Sequence, residues 1–360
     1  MRCSVESRFN CTTERITRIW ERLLKRTEIG SDVNFFDLGG DPGLATELFD
    51  LIRQDCGQSL PPMMIYCAPT IAALAAMLEQ PATLRFPPLV QLKAGSDKPP
   101  VFIAHGLGAT VMDFFQLVKH IRSGHPIYGL QARGVDGMEE PLERIEDMAE
   151  YFLEAITRVQ SKGPYLLIGH SLGGLVMLEI AQRLTKNGER VAMLTIVDGY
   201  PHRRQLSTIQ RMRLVGSMAR HHASKLTHLP IRKALGYLLV ASQRRPLSSR
   251  EPSRNMQDRQ SIYISLEEAT RRVYNSSVRA WRHYRPRFYS GKIRFVKAAE
   301  GTWFLPKNPT PVWNRLTDDF EVETTPGDHL GILTTNFEAL ASVLSRYLQE
   351  AIGSHGSPNP

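Results

Sequence analysis

Leu166-Leu167-Ile168-Gly169-His170-Ser171-Leu172-Gly173-Gly174 decides the reading of this 360-residue chain. Three apolar residues suited to a buried strand run into a Gly-x-Ser-x-Gly turn, and a helical pattern opens directly behind it. The backbone of such an elbow turns so sharply that bulky side chains at Gly169 and Gly173 would collide with their surroundings. Ser171 is then forced into a strained conformation that presents its hydroxyl above the sheet. The helix starting at Leu172 aims its amino end at the same point and favours negative charge developing there. Ser171 is therefore the candidate nucleophile.

A serine hydroxyl needs a base, and the base needs an orienting acid; behind an elbow of this kind they follow in the order Ser, acid, His. Two acids compete. Asp198 ends the apolar run Val191-Ala192-Met193-Leu194-Thr195-Ile196-Val197, whereas Glu300 follows Lys292-Ile293-Arg294-Phe295-Val296 and precedes Gly301-Thr302. A short carboxylate directly after a buried strand is the better fixed, which selects Asp198. His329, in the loop Pro326-Gly327-Asp328-His329-Leu330-Gly331 before the last helix, is the candidate base, and Asp328 is read as a loop hydrogen-bonder. The first strand ends in Ala104-His105-Gly106-Leu107-Gly108, so the backbone N–H groups of Leu107 and Leu172 are the expected oxyanion donors. His105 is assigned to the structure of the His-Gly turn.

Around the elbow, Val101-Phe102-Ile103-Ala104, Ile127-Tyr128-Gly129-Leu130 and Tyr165-Leu166-Leu167-Ile168 read as strands of a mostly parallel sheet covered on both faces. The helical stretches Ile145 to Val159 and Leu172 to Lys186 separate them in a βαβ pattern, which makes the fold class α/β. After Asp198 a long helix-prone stretch interrupts the pattern, and strand-like sequence resumes at Lys292-Val296 and Phe320-Glu321-Val322. The interruption, about 203–275, is expected to be a helical lid. The amino-terminal part is different. Ile16, Ile19, Trp20, Leu23 and Leu24 recur at helical spacing, Leu44, Leu48, Leu51 and Ile52 mark a second helix, and Pro69-Thr70 opens a third. The expected organisation is a helical domain over 1–80, a Pro-rich linker over 81–99, the α/β domain over 100–352 and a frayed tail over 353–360.

Composition restricts the function classes. Hydrophobic residues make up 42% and charged residues 22% of the chain, which is ordinary for a globular protein. With no apolar run of about 18 residues to span a bilayer and no secretory-type apolar core at Met1-Arg2-Cys3-Ser4-Val5-Glu6, a cytoplasmic protein without membrane contact is expected. Cys3, Cys11, Cys56 and Cys67 form no CxxC pair and have no histidine at ligand spacing, so reduced thiols and no metal site are expected. The net charge of +9 is local: Arg203 to Arg259 holds thirteen Lys and Arg against Glu251 and Asp258. That segment is either a solvated helical surface or a landing surface for something acidic. Nucleic acid is not the expected partner, because few aromatics accompany the charge.

Taken together, Ala104-His105-Gly106-Leu107-Gly108, Gly129-Leu130-Gln131-Ala132-Arg133-Gly134, Gly169-His170-Ser171-Leu172-Gly173-Gly174, Asp198, Trp281-Arg282-His283-Tyr284 and Pro326-Gly327-Asp328-His329 resemble the type I thioesterase domains of nonribosomal peptide and polyketide synthases. The resemblance covers roughly Pro88 to Leu348. It implies the α/β-hydrolase fold, Asp198 as the acid, a helical lid over an acyl channel, and release of a carrier- or CoA-bound acyl or peptidyl thioester by hydrolysis or cyclisation. Residues Glu14 to Trp20, Asn34 to Asp41 and Ala68 to Ala75 resemble a peptidyl carrier domain. That family attaches phosphopantetheine to a serine directly after Gly-Gly-Asp, and here Pro42 stands in its place; Thr46, one turn on, is a poor substitute. The arm is expected to be absent and pantetheine to enter only as part of the substrate, delivered by a donor in trans such as an acidic carrier protein or synthase. Two other readings remain open: an acyltransferase or esterase using the same three residues, and a non-catalytic docking protein.

Overall fold

The computed structural model describes residues 5–58, 60, 62–66, 68–79, 86–107, 110–227, 266–302 and 305–353. The first three helices are α1 (Val5–Leu24), α2 (Pro42–Cys56) and α3 (Ile71–Glu79). They close around Ile16, Trp20, Phe35, Leu48, Ile52 and Leu74, all fully buried. Trp20 meets Phe35 edge to face with ring centroids 5.0 Å apart. The start of α2 follows from its sequence: the Asp41 carboxylate accepts from the Leu44 N–H, and the helix begins at a proline, whose missing N–H costs nothing there. Gly57, in the left-handed region at φ 70°, ends it.

The larger domain is built on β1 (Leu89–Lys93), β2 (Val101–Ala104), β3 (Ile127–Leu130), β4 (Tyr165–His170), β5 (Val191–Val197), β6 (Ile293–Ala298) and β7 (Phe320–Thr325). Its order is β1-β3-β2-β4-β5-β6-β7, with β1 antiparallel to β3 and every other pair parallel. Strand β4 is buried along its whole length, as a central strand covered on both faces must be. Among the described residues the domain's α-helices are α4 (Phe115–His120), α5 (Ile145–Val159), α6 (Leu172–Lys186), α7 (Thr208–Thr227), α8 (Leu266–His283), α9 (Thr310–Trp313), α10 (Gly331–Thr334) and α11 (Phe337–Gly353). The spans of α5 and α6 coincide with those read from the sequence.

Strand β1 departs from expectation, because it lies within the stretch assigned to a linker. Pro87-Pro88 and Pro99-Pro100 bracket it and hide a short apolar pattern. Part of its burial also comes from the helical domain. Phe86, Val90 and Val111 belong to the same buried cluster as Trp20 and Leu74. The 3-10 turn Pro62–Tyr66 packs on β1, and the Phe36 and Phe115 rings lie 5.3 Å apart. Of the expected lid, α7 and the start of α8 are described, while 228–265 lies outside the described residues, as do the tail beyond 353, Cys3 and Cys67. Among the described residues no helix is long and apolar enough to cross a membrane, and no cluster of His, Cys, Asp and Glu could hold a metal ion.

Candidate active site

Ser171 sits between the end of β4 and the start of α6 with φ 54° and ψ −119°, a conformation that a residue with a side chain adopts only under constraint. The constraint is visible on both sides. A Cβ on Gly169 would lie 2.3 Å from the Gly173 carbonyl oxygen, and one on Gly173 would lie 2.4 Å from that of Ala104. Both glycines are thus required for α6 to fold back over the sheet. Leu172 opens α6, so its N–H has no acceptor within the helix.

Asp198 follows β5, the parallel neighbour of β4, also at positive φ, and its backbone N–H donates to Val296 O within β6. His329 lies in the loop after β7. The carboxyl ends of three parallel strands therefore place all three side chains on one edge of the sheet, where α/β folds bind ligands. His329 Nδ1 stands 2.8 Å from Asp198 Oδ2, and His329 Nε2 stands 3.1 Å from Ser171 Oγ. An ionised carboxylate only accepts, so Nδ1 carries the hydrogen and Nε2 offers its lone pair to the serine hydroxyl. Asp198 is 6% exposed, and this burial strengthens its bond to the imidazole. Glu300, the competing acid, is exposed and its backbone N–H donates to Gly327 O. Asp328 accepts from the Leu330 and Gly331 amides, as a loop hydrogen-bonder should.

The turn after β2 passes directly beside the nucleophile: a Cβ on Gly106 would lie 3.1 Å from Ser171 Cβ. Leu107 follows Gly106 in this turn, and Leu172 follows Ser171 in the chain. Neither amide donates to another backbone carbonyl among the described residues.

Several residues at the site had no role assigned from the sequence. His170 donates from Nε2 to the carbonyl of His329 at 3.0 Å, and the two rings are tilted with centroids 4.9 Å apart. Burial, and secondarily the neighbouring His329, lower its pKa to about 3, so His170 stays neutral and ties the histidine loop to the elbow. Its position inside the motif was the available signal. Trp281, on α8, donates from its indole to the carbonyl of Tyr200 at 2.9 Å, fixing the loop behind Asp198. Tyr284 donates to Glu179, a carboxylate buried in α6 that also pairs with Arg183 at 3.0 Å and Arg287 at 3.1 Å. The Trp281-Arg282-His283-Tyr284 run thereby clamps α8 to the body of the domain.

A doubly covered parallel sheet with a strained serine elbow, and an acid and a histidine at the ends of later strands, defines an α/β-hydrolase. The chain belongs to the thioesterase domain family, which matches residues 99–348; the phosphopantetheine attachment site family matches residues 14–78. It is similar to a dimodular nonribosomal peptide synthase of Bacillus subtilis (strain 168), with 39% identity over 185 residues, 51% of this chain and 8% of that protein. It is also similar to malpibaldin synthetase of Mortierella alpina, with 37% identity over 187 residues, 51% of this chain and 3% of that protein. The chain thus spans less than a tenth of the length of either relative. The crystal structure of a four-domain nonribosomal peptide synthetase, holo-AB3403, shares the fold over 99% of this chain and 27% of its own, at a TM-score of 0.55 and 19% identity.

Proposed function

We propose that the chain releases an acyl or peptidyl group from a carrier- or CoA-bound thioester through an acyl-Ser171 intermediate, in biosynthesis of the nonribosomal peptide or polyketide kind. The observation that carries the proposal is the hydrogen-bonded relay from Asp198 through His329 to Ser171. In the first half-reaction Ser171 Oγ attacks the thioester carbon while His329 Nε2 takes its proton. The C–S bond then breaks, and the proton passes to the departing thiolate sulfur. In the second half, water or a nucleophile within the acyl chain attacks the ester carbon. His329 takes the proton of that nucleophile and returns it to Ser171 Oγ as the C–O bond breaks. Asp198 stabilises the imidazolium in both halves, and the amides of Leu107 and Leu172 receive the oxyanion.

The helical domain does not fit a covalent phosphopantetheine arm. The position after Gly39-Gly40-Asp41 is Pro42, which has no hydroxyl to phosphorylate, and the Asp41 carboxylate is engaged with the Leu44 amide. The thioester accordingly arrives on a donor other than this chain's own carrier-like domain. The basic lid segment fits an acidic carrier protein: on α7, exposed Arg211 and Arg213 accompany Ile209, Met212 and Val215, which are 60–68% exposed.

Release of free thiol from acyl-pantetheine thioesters, compared between the native chain and Ser171→Ala, tests the reading. The native chain is expected to turn over and the variant to fall to background. Equal rates would eliminate the catalytic reading in favour of a docking protein.

A further inference from the structure

A cavity of about 350 Å³ lies beyond the acid of the relay. Its walls come from the segment after β5, the lid helices α7 and α8, and Leu305-Pro306 in the segment after β6. Arg203, Arg204 and Arg282 line it, and among the described residues no acidic side chain does. None of the three forms an ion pair among the described residues, whereas Arg279, also on α8, pairs with Glu143 at 2.6 Å. Guanidinium groups keep their charge at any pH a folded protein meets. Three of them around one cavity repel one another, and an anion is the occupant that relieves the repulsion.

His202 stands in the same field. Its ring is buried and lines the cavity. Nδ1 accepts from the Arg204 N–H at 3.3 Å, so the ring hydrogen is on Nε2. Burial, and then Arg203, Arg204 and Arg282, lower its pKa to about 4, so the imidazole is neutral at pH 7 and the guanidinium groups supply the charge. The wall is held in place: His202 meets Trp281 edge to face with centroids 4.7 Å apart, and the Trp281 indole is tied to the Tyr200 carbonyl. Leu206, Leu214, Val278 and Leu305 make an apolar wall. The cavity thus suits an anion joined to a compact aliphatic group.

Its position selects the half of the substrate that reaches it. Strand β2, with the oxyanion turn at its end, lies on one side of β4, and β5 and β6 lie on the other. In the proposed reaction His329 passes its proton to the departing sulfur, so the thiol half of the thioester lies toward His329 and Asp198. A Cβ on Gly199 would lie 2.6 Å from the Ser171 carbonyl oxygen. The four residues from there to Arg203 span at most about 14 Å, which an extended pantetheine arm covers between its sulfur and its phosphorus. Beside that phosphorus the arm carries a carbon with two methyl groups, an anion and a compact aliphatic group together.

We infer that this cavity binds the phosphate end of the donor's phosphopantetheine arm, with Arg203, Arg204 and Arg282 on the phosphate oxygens and the apolar wall on the adjacent dimethyl carbon. The inference rests on the proposed thioesterase reading and adds to it a binding site for the thiol half of the substrate, shared by a carrier-borne arm and coenzyme A.

Hexanoyl thioesters of pantetheine, 4′-phosphopantetheine and coenzyme A test it, since they share one reacting centre and differ only beyond the arm. The native chain is expected to favour hexanoyl-phosphopantetheine over hexanoyl-pantetheine by about tenfold or more in kcat/KM. Parity between phosphopantetheine and coenzyme A identifies the phosphate that a carrier also presents as the feature read, and a further gain with coenzyme A adds its nucleotide half. In the triple variant Arg203→Gln, Arg204→Gln, Arg282→Gln the ratio should fall to near unity, and in Arg282→Gln alone it should fall several-fold. In Arg211→Gln with Arg213→Gln, which removes two exposed charges from α7 outside the cavity, it should persist. Each ratio is taken within one protein, so a general loss of active enzyme cancels. A native ratio near unity, or one that survives in the triple and single variants, would overturn the inference. A ratio that falls as far in the α7 variant would overturn it too, by showing diffuse attraction to the basic segment. Thiol release from none of the three would remove the thioesterase reading itself and the phosphate site with it.

Discussion

Asp198→Asn tests the relay most directly, because the substitution preserves shape while changing which atom of His329 carries the proton. In the native arrangement the carboxylate accepts from Nδ1–H across 2.8 Å, which forces the lone pair onto Nε2, 3.1 Å from the serine hydroxyl. An asparagine that presents its NH2 group to the ring donates to Nδ1 instead. The proton then sits on Nε2, and the imidazole can no longer take the proton of Ser171. Where a buried acid of another serine hydrolase is replaced in this way, turnover falls by about 10⁴, equivalent to about 5.5 kcal/mol of barrier. If the amide turned its carbonyl to the ring, the tautomer would survive, and only the charge opposite the imidazolium would be lost, at about 10². The expected fall in kcat is thus about 10² to 10⁴, with KM little changed, because the interaction matters most when the ring is charged. Thiol release from an acyl-pantetheine thioester, beside a circular dichroism spectrum and melting midpoint matching the parent, is the measurement. The parallel variant Glu300→Gln should stay within about twofold, since Glu300 is exposed. A loss below about tenfold in Asp198→Asn, or a larger loss in Glu300→Gln, would refute the assignment.

Glu179→Gln should lower stability by about 2 kcal/mol. The carboxylate is 2% exposed, but its partners Arg183 and Arg287 are 27% and 65% exposed and recover part of the loss by hydration; a urea midpoint unchanged from the parent would contradict the clamp. Acid should destabilise the fold before the carboxylates titrate. His105 and His170 have depressed pKa values of about 4 and 3, so their neutral forms contribute stability that is fully present above about 6.5 and is lost as pH falls toward the folded values. The loss should be about 1–2 kcal/mol per ring by pH 5, and a melting midpoint that is flat from pH 7.5 to 5 would speak against it. Incubation with a phosphopantetheinyl transferase and coenzyme A should leave the intact mass unchanged; a gain of the arm at any residue would show the reading of Pro42 to be wrong.

The elbow was legible because three independent signals fall on the same nine residues: an apolar strand, paired glycines around a serine, and a helical pattern behind. Asp198 was legible for a related reason, since a strand as apolar as Val191–Val197 fixes whatever polar residue ends it. The residues that were not legible owe their roles to contacts between distant segments. Glu179 lies in α6 among ten other buried positions, a carboxylate where the helical pattern asks for an apolar residue. That anomaly is visible in the sequence, but its partners Tyr284 and Arg287 stand more than a hundred positions away. His170 is a variable position by the logic of the motif, and only the fold shows that its ring holds the carbonyl of His329. His105 was assigned to the His-Gly turn, and its Nδ1 does donate to the Gly106 carbonyl.

Strand β1 links the two domains in a way that bears on how the helical one is used. A carrier domain that delivers an arm must detach and swing, so its surface toward the catalytic domain has to be polar enough to part from it. Here the contact is apolar and continuous. Phe86 and Val90, at and before the sheet's edge strand, are buried in the same cluster as the helical core, and the Phe86 amide donates to Asp136 at 3.1 Å. Phe36, in the loop preceding α2, is packed on Phe115 at the start of α4. Separating the domains would expose these rings and strip β1 of one side of its packing. A helical domain packed in this way is consistent with the reading of Pro42 proposed above. The shared apolar contact holds β1 and the segment around Phe115 against the helical domain.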